Sequence, residues 1–278
     1  MRKYSCCLLF ILYLPCLTYA KLADIPSELL YQGKPIDSLC FFEPEEGSDK
    51  NKVNLANCGL NSEKGRSTAG QNDDLIAEGF IGYDYEWPLE DGVKLQGYSY
   101  YKPYARIGDS IALLTRNNSG GTGQFSALLL VSRDNNTLSI KTLGGGDRCN
   151  NGIEDMTLAG NRLRYSVNMT SGDFLGFDAQ AERALKPYED LEVCAICCKA
   201  LAVFERNLDD FENEHLVYVD LKAYFQDLKE DEEPFSKYQA CFDKLIQGYI
   251  KQNKFKLNPA ELNGFMQKFK QQCLTNSN

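Results

Sequence analysis

Between residues 80 and 177, apolar and polar positions alternate in short runs separated by turn-forming residues, the pattern of an antiparallel β structure. Ile81, Tyr83, Tyr85 and Trp87 alternate with Gly82, Asp84 and Glu86, which predicts a half-buried strand. Residues 94–101 and 110–116 predict two more. Residues 125–132 and 137–143 flank Arg133-Asp134-Asn135-Asn136, a hairpin turn because Asp and Asn tolerate positive φ. A second hairpin is expected where residues 156–158 and 162–167 flank Ala159-Gly160-Asn161. Seven short strands with regular turns predict an antiparallel sandwich or small barrel.

After Lys186-Pro187 the period changes to that of helices. Cys194, Cys197, Leu201, Phe204, Leu208 and Phe211 recur at three and four residues, and Val217, Leu221, Tyr224 and Leu228 suggest a second helix. Phe235, Tyr238, Phe242, Leu245 and Tyr249 mark a third. Asn258 as N-cap, Pro259 at N1 and Glu261 at N3 start a fourth, with Leu262, Phe265, Met266 and Phe269 as its apolar stripe. The expected fold is α+β: an antiparallel β-sandwich or small barrel followed by a disulfide-braced four-helix bundle. The expected divisions are a signal peptide at 1–20, an irregular segment at 21–78, a β domain at 79–178 and a helical domain at 179–278.

The N-terminus sets the compartment. Met1-Arg2-Lys3 precedes a short apolar stretch, and Thr18-Tyr19-Ala20 offers small residues for cleavage after Ala20, so export to the periplasm or the cell exterior is expected. Cleavage would leave eight cysteines: Cys40, Cys58 and Cys149 in the first half, and Cys194, Cys197, Cys198, Cys241 and Cys273 in the second. In an oxidising compartment all eight are expected to pair. Because three and five are both odd, at least one bridge must join the halves, and Cys149 is the N-terminal candidate. Loss of Arg2 and Lys3 leaves 28 basic against 39 acidic residues, a net charge of −11. That charge argues against nucleic acid and anionic membranes as general partners.

Chemistry is thinly signposted. Cys194-Ala195-Ile196-Cys197-Cys198 is dense enough for redox exchange, but a helix burying Cys194 suits structural bridges better. Gly144-Gly145-Gly146-Asp147-Arg148-Cys149-Asn150-Asn151-Gly152 offers backbone amides to an anion, with Asp147 and Arg148 as its side chains. The alternative is a wide turn pinned through Cys149, and the spacing fits neither a P-loop nor an EF-hand. Tyr83, Tyr85, Trp87, Tyr98, Tyr100, Tyr101 and Tyr104 would form a stacking platform if exposed, or core if buried. The single histidine, His215, stands in an acidic connection that suits solvent better than catalysis. Asn117, Asn135 and Asn168 begin N-glycosylation patterns. No metal-ligand spacing and no cofactor motif is present. The expected function is an exported, disulfide-stabilised binding protein recognising a partner protein or glycan. The alternatives are a secreted hydrolase using paired carboxylates and a thiol-disulfide protein using Cys194 and Cys197.

Overall fold

The computed structural model describes residues 25–42, 51–58, 66–67, 72–88, 92–178, 185–223 and 235–275. The expected signal peptide and its expected cleavage site, Tyr224 and Leu228 lie outside the described residues, as does the side chain of Trp87.

Two antiparallel sheets carry the fold. The first is a curved half-barrel of six strands, β3 (Lys52–Asn54), β5 (Ile81–Pro88), β6 (Lys94–Ile107), β7 (Ser110–Asn118), β8 (Phe125–Asp134) and β9 (Thr137–Asp147). Its order is β3-β9-β8-β7-β6-β5, and the two-residue β4 (Arg66–Ser67) adds to the free edge of β5. A two-residue hairpin, β1 (Leu30–Tyr31) and β2 (Lys34–Pro35), lies in the N-terminal segment. Alternation sends Tyr101, Ile111, Leu113, Leu129 and Val131 to one face, where they pack on Leu29, Ile36, Phe41 and Val53. Tyr100, Ala112, Leu114 and Leu128 point the other way, toward the second sheet.

That second sheet runs β10 (Ile153–Ala159), β11 (Arg162–Met169), β12 (Ala200–Asn207), β13 (Asp210–Asp220) and β14 (Lys256–Leu257), in that order. It draws strands from both sides of residue 178. One face is buried in two sections. Leu163 and Tyr165 pack against the half-barrel, while Met169, Ala200, Ala202 and Val219 pack under helices.

Those helices are α3 (Lys237–Lys251) and α4 (Pro259–Phe269), preceded in the chain by the short α1 (Asp73–Ala77) and α2 (Pro187–Asp190). Ser236 caps α3 by accepting the N–H of Gln239. The expected capping box opens α4: Asn258 Oδ1 accepts the N–H of Glu261, and Glu261 accepts the N–H of Asn258, both at 3.0 Å. Phe242, Phe265 and Phe269 form the helix–sheet core in edge-on contacts.

The four-helix bundle is overturned. Residues expected as the first helix instead make a disulfide-closed turn followed by β12, and the expected second helix is β13 as far as Asp220. The physical reason is local. Ala200-Leu201-Ala202-Val203-Phe204 is an unbroken apolar run, which is also the pattern of a buried strand. An Asx turn then ends it, with Asn207 Oδ1 accepting the N–H of Asp209. The three-to-four periodicity came from joining cysteines before the strand to residues within and after it. Nor is the expected barrel or sandwich found: among the described residues β3 and β4 leave the first sheet an open half-barrel, and the second sheet packs only partly on it and partly under helices.

Candidate functional site

A cleft of about 760 Å³ opens where the half-barrel, α1, the start of β10 and the 194–198 turn converge. Three local structures build it.

The first is the glycine-rich segment. Gly144 to Asp147 continues β9, and the chain turns only at Arg148 to Asn151, with Arg148 (φ +47°) and Asn151 (φ +61°) left-handed. The glycines serve close approach. A Cβ on Gly145 would stand 2.4 Å from the carbonyl oxygen of Ser126, and one on Gly146 would stand 1.8 Å from that of Asn150. The amides do not converge on an anion. The N–H of Arg148 goes to the Gln124 carbonyl, that of Cys149 to Ala195, that of Asn150 to Asp147 and that of Gly152 to Arg148. Asp147 is engaged too, accepting from the Gln124 N–H at 2.7 Å and from Arg148 Nε at 3.2 Å. Only Arg148 of this pair lines the cleft.

The second is the cysteine pattern. Cys40 pairs with Cys58, Cys149 with Cys198, Cys194 with Cys197, and Cys241 with Cys273. Cys149–Cys198 is the expected bridge between the halves, and it draws Ala195 and Ile196 onto the rim of the cleft. Cys194 does not reach another element, because its partner is three residues away. Four disulfides point to an oxidising, extracytoplasmic location.

The third is Arg116. Its Nη1 donates to the Ile153 carbonyl and its Nη2 to that of Glu154, both at 2.6 Å, tying the half-barrel to the second sheet beside the cleft. Sequence reasoning passed over it. The signal was its parity: Ala112, Leu114 and Arg116 lie on one face of β7, so the charge continues an inward-facing row.

The tyrosines do not form one platform. In the β5–β6 register Tyr83 pairs with Ser99 and Tyr85 with Gly97, whereas Tyr98 pairs with Asp84 and Tyr100 with Gly82. Directly paired residues share a face, so Tyr83 and Tyr85 stand opposite Tyr98 and Tyr100. Tyr85 and Tyr100 are buried, the first donating to the Asn118 carbonyl and the second to Asp84. The hydroxyl of Tyr83 donates to Asp37. Tyr98 alone of the four enters the cleft, where it is joined by Tyr104, Phe80 and Phe125. Burial raises the Tyr98 phenol above its ordinary value. Burial, and next the carboxylate of Asp155, push Tyr104 up to about 12. Both are therefore neutral donors at neutral pH.

Asp74, Glu78, Glu154 and Asp155 line the cleft and are all exposed. The guanidinium of Arg148 stays beside Asp147 and that of Arg116 on backbone carbonyls, so the carboxylates dominate the accessible charge. Asn72, at the start of α1, is held by buried Asp84, which accepts from its side chain at 2.5 Å and its backbone N–H at 3.3 Å. Asp84 thus positions Asp74 and Glu78 without lining the cleft itself.

Outside the cleft, His215 lies exposed in β13 opposite Glu205, in a strand rather than in the helix connection expected for it. Asn117 and Asn168 are buried, whereas Asn135 is exposed at its hairpin turn with φ +53°. Among the described residues, no group of three or more His, Cys, Asp or Glu side chains is placed to hold a metal ion, and no helix is long and apolar enough to cross a membrane. Comparison of the chain with known protein families, with curated proteins and with solved structures finds no match.

Proposed function

We propose that this chain is an exported, disulfide-stabilised binding protein that uses the cleft beneath the Cys149 turn to recognise a partner protein or glycan. The observation that carries the reading is the composition of that cleft: aromatic faces from Tyr98, Tyr104 and Phe125 beside exposed carboxylates, on walls joined by a disulfide and by Arg116. Aromatic faces stack on sugar rings or on a partner's side chains, and carboxylates accept from hydroxyls or pair with cations. Walls fixed before binding lower the ordering cost of association. Export rests on the N-terminal signal pattern and on the disulfides. A general acid for glycoside hydrolysis is a carboxyl whose proton is held by its surroundings. The cleft carboxylates are exposed, which suits recognition better than that role.

The test is a glycan array and a surface-display partner screen, run with wild type, Tyr104→Ala and Tyr83→Phe. Binding should fall about tenfold in Tyr104→Ala, the loss expected when about 1.4 kcal/mol of stacking is removed. It should be unchanged in Tyr83→Phe. Equal binding by all three proteins would remove the cleft as the recognition surface. Release of a cleaved sugar would make the hydrolase the better description.

A further inference from the structure

The four disulfides are not equivalent. Cys40–Cys58, Cys241–Cys273 and Cys149–Cys198 close sequence separations of 18, 32 and 49 residues, and each contains one buried cysteine. Cys194–Cys197 spans three, and neither of its cysteines is fully buried. Between them Ile196 projects into solvent at 78% exposure. Because the loop it closes is the shortest, this bond constrains the unfolded chain least, and the fold depends on it least. No helix buries it, contrary to the sequence expectation: the turn is held by the Cys197 N–H donating to the Cys194 carbonyl.

We propose that Cys194–Cys197 is a thiol-disulfide exchange site, which accepts electrons from an exported dithiol while the other three disulfides remain closed. An external thiolate attacks one sulfur, forming a mixed disulfide and releasing the other cysteine as a thiolate that takes a proton from water. The second thiol of the same reagent then attacks the mixed disulfide and frees the remaining protein sulfur, which is protonated in turn. The protein gains two electrons and two protons, and the dithiol becomes a disulfide. Access to the sulfurs is what this direction of exchange needs; a lowered cysteine pKa is not required of the accepting disulfide. The site shares its tip with the cleft, since Ala195 and Ile196 line the rim. Cys149–Cys198 holds the chain at the cleft while the tip is opened.

The native protein, without denaturant, is treated with limiting dithiothreitol, trapped with N-ethylmaleimide and mapped by peptide mass spectrometry. Labels are expected on Cys194 and Cys197, with the six cysteines of the other three disulfides unlabelled and the far-ultraviolet circular dichroism unchanged. Labelling of Cys149 and Cys198 first, or no labelling until the fold is lost, overturns the proposal. A second measurement uses Cys197→Ser, which leaves Cys194 as a free thiol. In the folded variant it should release one equivalent of chromophore from an aromatic disulfide reagent, and no release would show the site to be closed. Both readouts are independent of ligand binding, so their outcome is separate from that of the cleft.

Discussion

The backbone N–H of Cys149 donates to the carbonyl of Ala195 at 3.3 Å, beside the bond from Cys149 to Cys198. One hydrogen bond and one covalent bond thus hold the glycine-rich turn against the second cysteine cluster, and the cleft exists because these two segments meet. Replacing both partners, as in Cys149→Ala with Cys198→Ala, should lower unfolding stability by about 4 kcal/mol, the chain-entropy value for a loop of this length. Denaturant unfolding of wild type and variant, with the other cysteines oxidised, measures it. The same treatment of Cys194→Ala with Cys197→Ala should cost roughly half as much.

Arg116 joins the two sheets through the backbone carbonyls of Ile153 and Glu154. Arg116→Ala removes two charge-assisted hydrogen bonds and leaves the Ile153 carbonyl in a buried residue, a change expected to cost about 1.5–3 kcal/mol. Arg116→Lys should recover only part of this, because an ammonium lacks the planar fork that reaches both oxygens. Urea midpoints of the three proteins separate the effects.

Asp84 acts at a distance from the ligand surface. Asp84→Ala frees Asn72 and removes the acceptor of the Tyr100 hydroxyl. Stability should fall by about 1.5–3 kcal/mol. Backbone amides of α1 should also exchange faster than those of α4, whose capping box is untouched. Hydrogen exchange read by mass spectrometry would show whether the loosening is confined to the cleft wall.

The cleft phenol gives an alkaline signature. Tyr104 is held at about 12 against an ordinary 10.0, so the folded protein keeps this proton more tightly than the unfolded chain. Its contribution to stability is complete below pH 10 and is lost as pH rises from 10 to about 12. Tyr104→Phe should make the alkaline decline in the urea midpoint shallower. It should also remove one late-titrating phenolate from the absorbance titration. An unchanged titration would mean that the phenol is not shielded in the cleft.

Much of this architecture was written in local pattern. Period-two alternation and Asp-Asn or Gly-Asn turns specify β5 to β11, because a strand half-buried on one face must repeat every two residues. Asn258, Pro259 and Glu261 specify the start of α4, because the capping box is satisfied within four residues. The odd cysteine counts specify that some bond joins the halves. What the pattern misassigned was residues 194–220, where an apolar run is compatible with either a helix or a buried strand. Pairing decided it: β12 finds β11 on one side and β13 on the other, and those long-range hydrogen bonds outweigh local periodicity.

The site was less legible than the fold. Arg148, Tyr98 and Tyr104 were singled out in sequence, but Asp147 is engaged in its own turn and the remaining tyrosines are divided between two faces of a sheet. Arg116, Glu154 and Asp155 come together only because Arg116 of β7 reaches the carbonyls at the start of β10, across 37 residues of chain. Sequence by itself determined β5 to β11 and the start of α4, since each rests on neighbours within a few residues, and the cysteine arithmetic, which needs only a count. The cleft, its acidic rim and the Cys194–Cys197 turn with Ile196 at its exposed tip were decided by tertiary structure, because each depends on which segments the two sheets bring face to face.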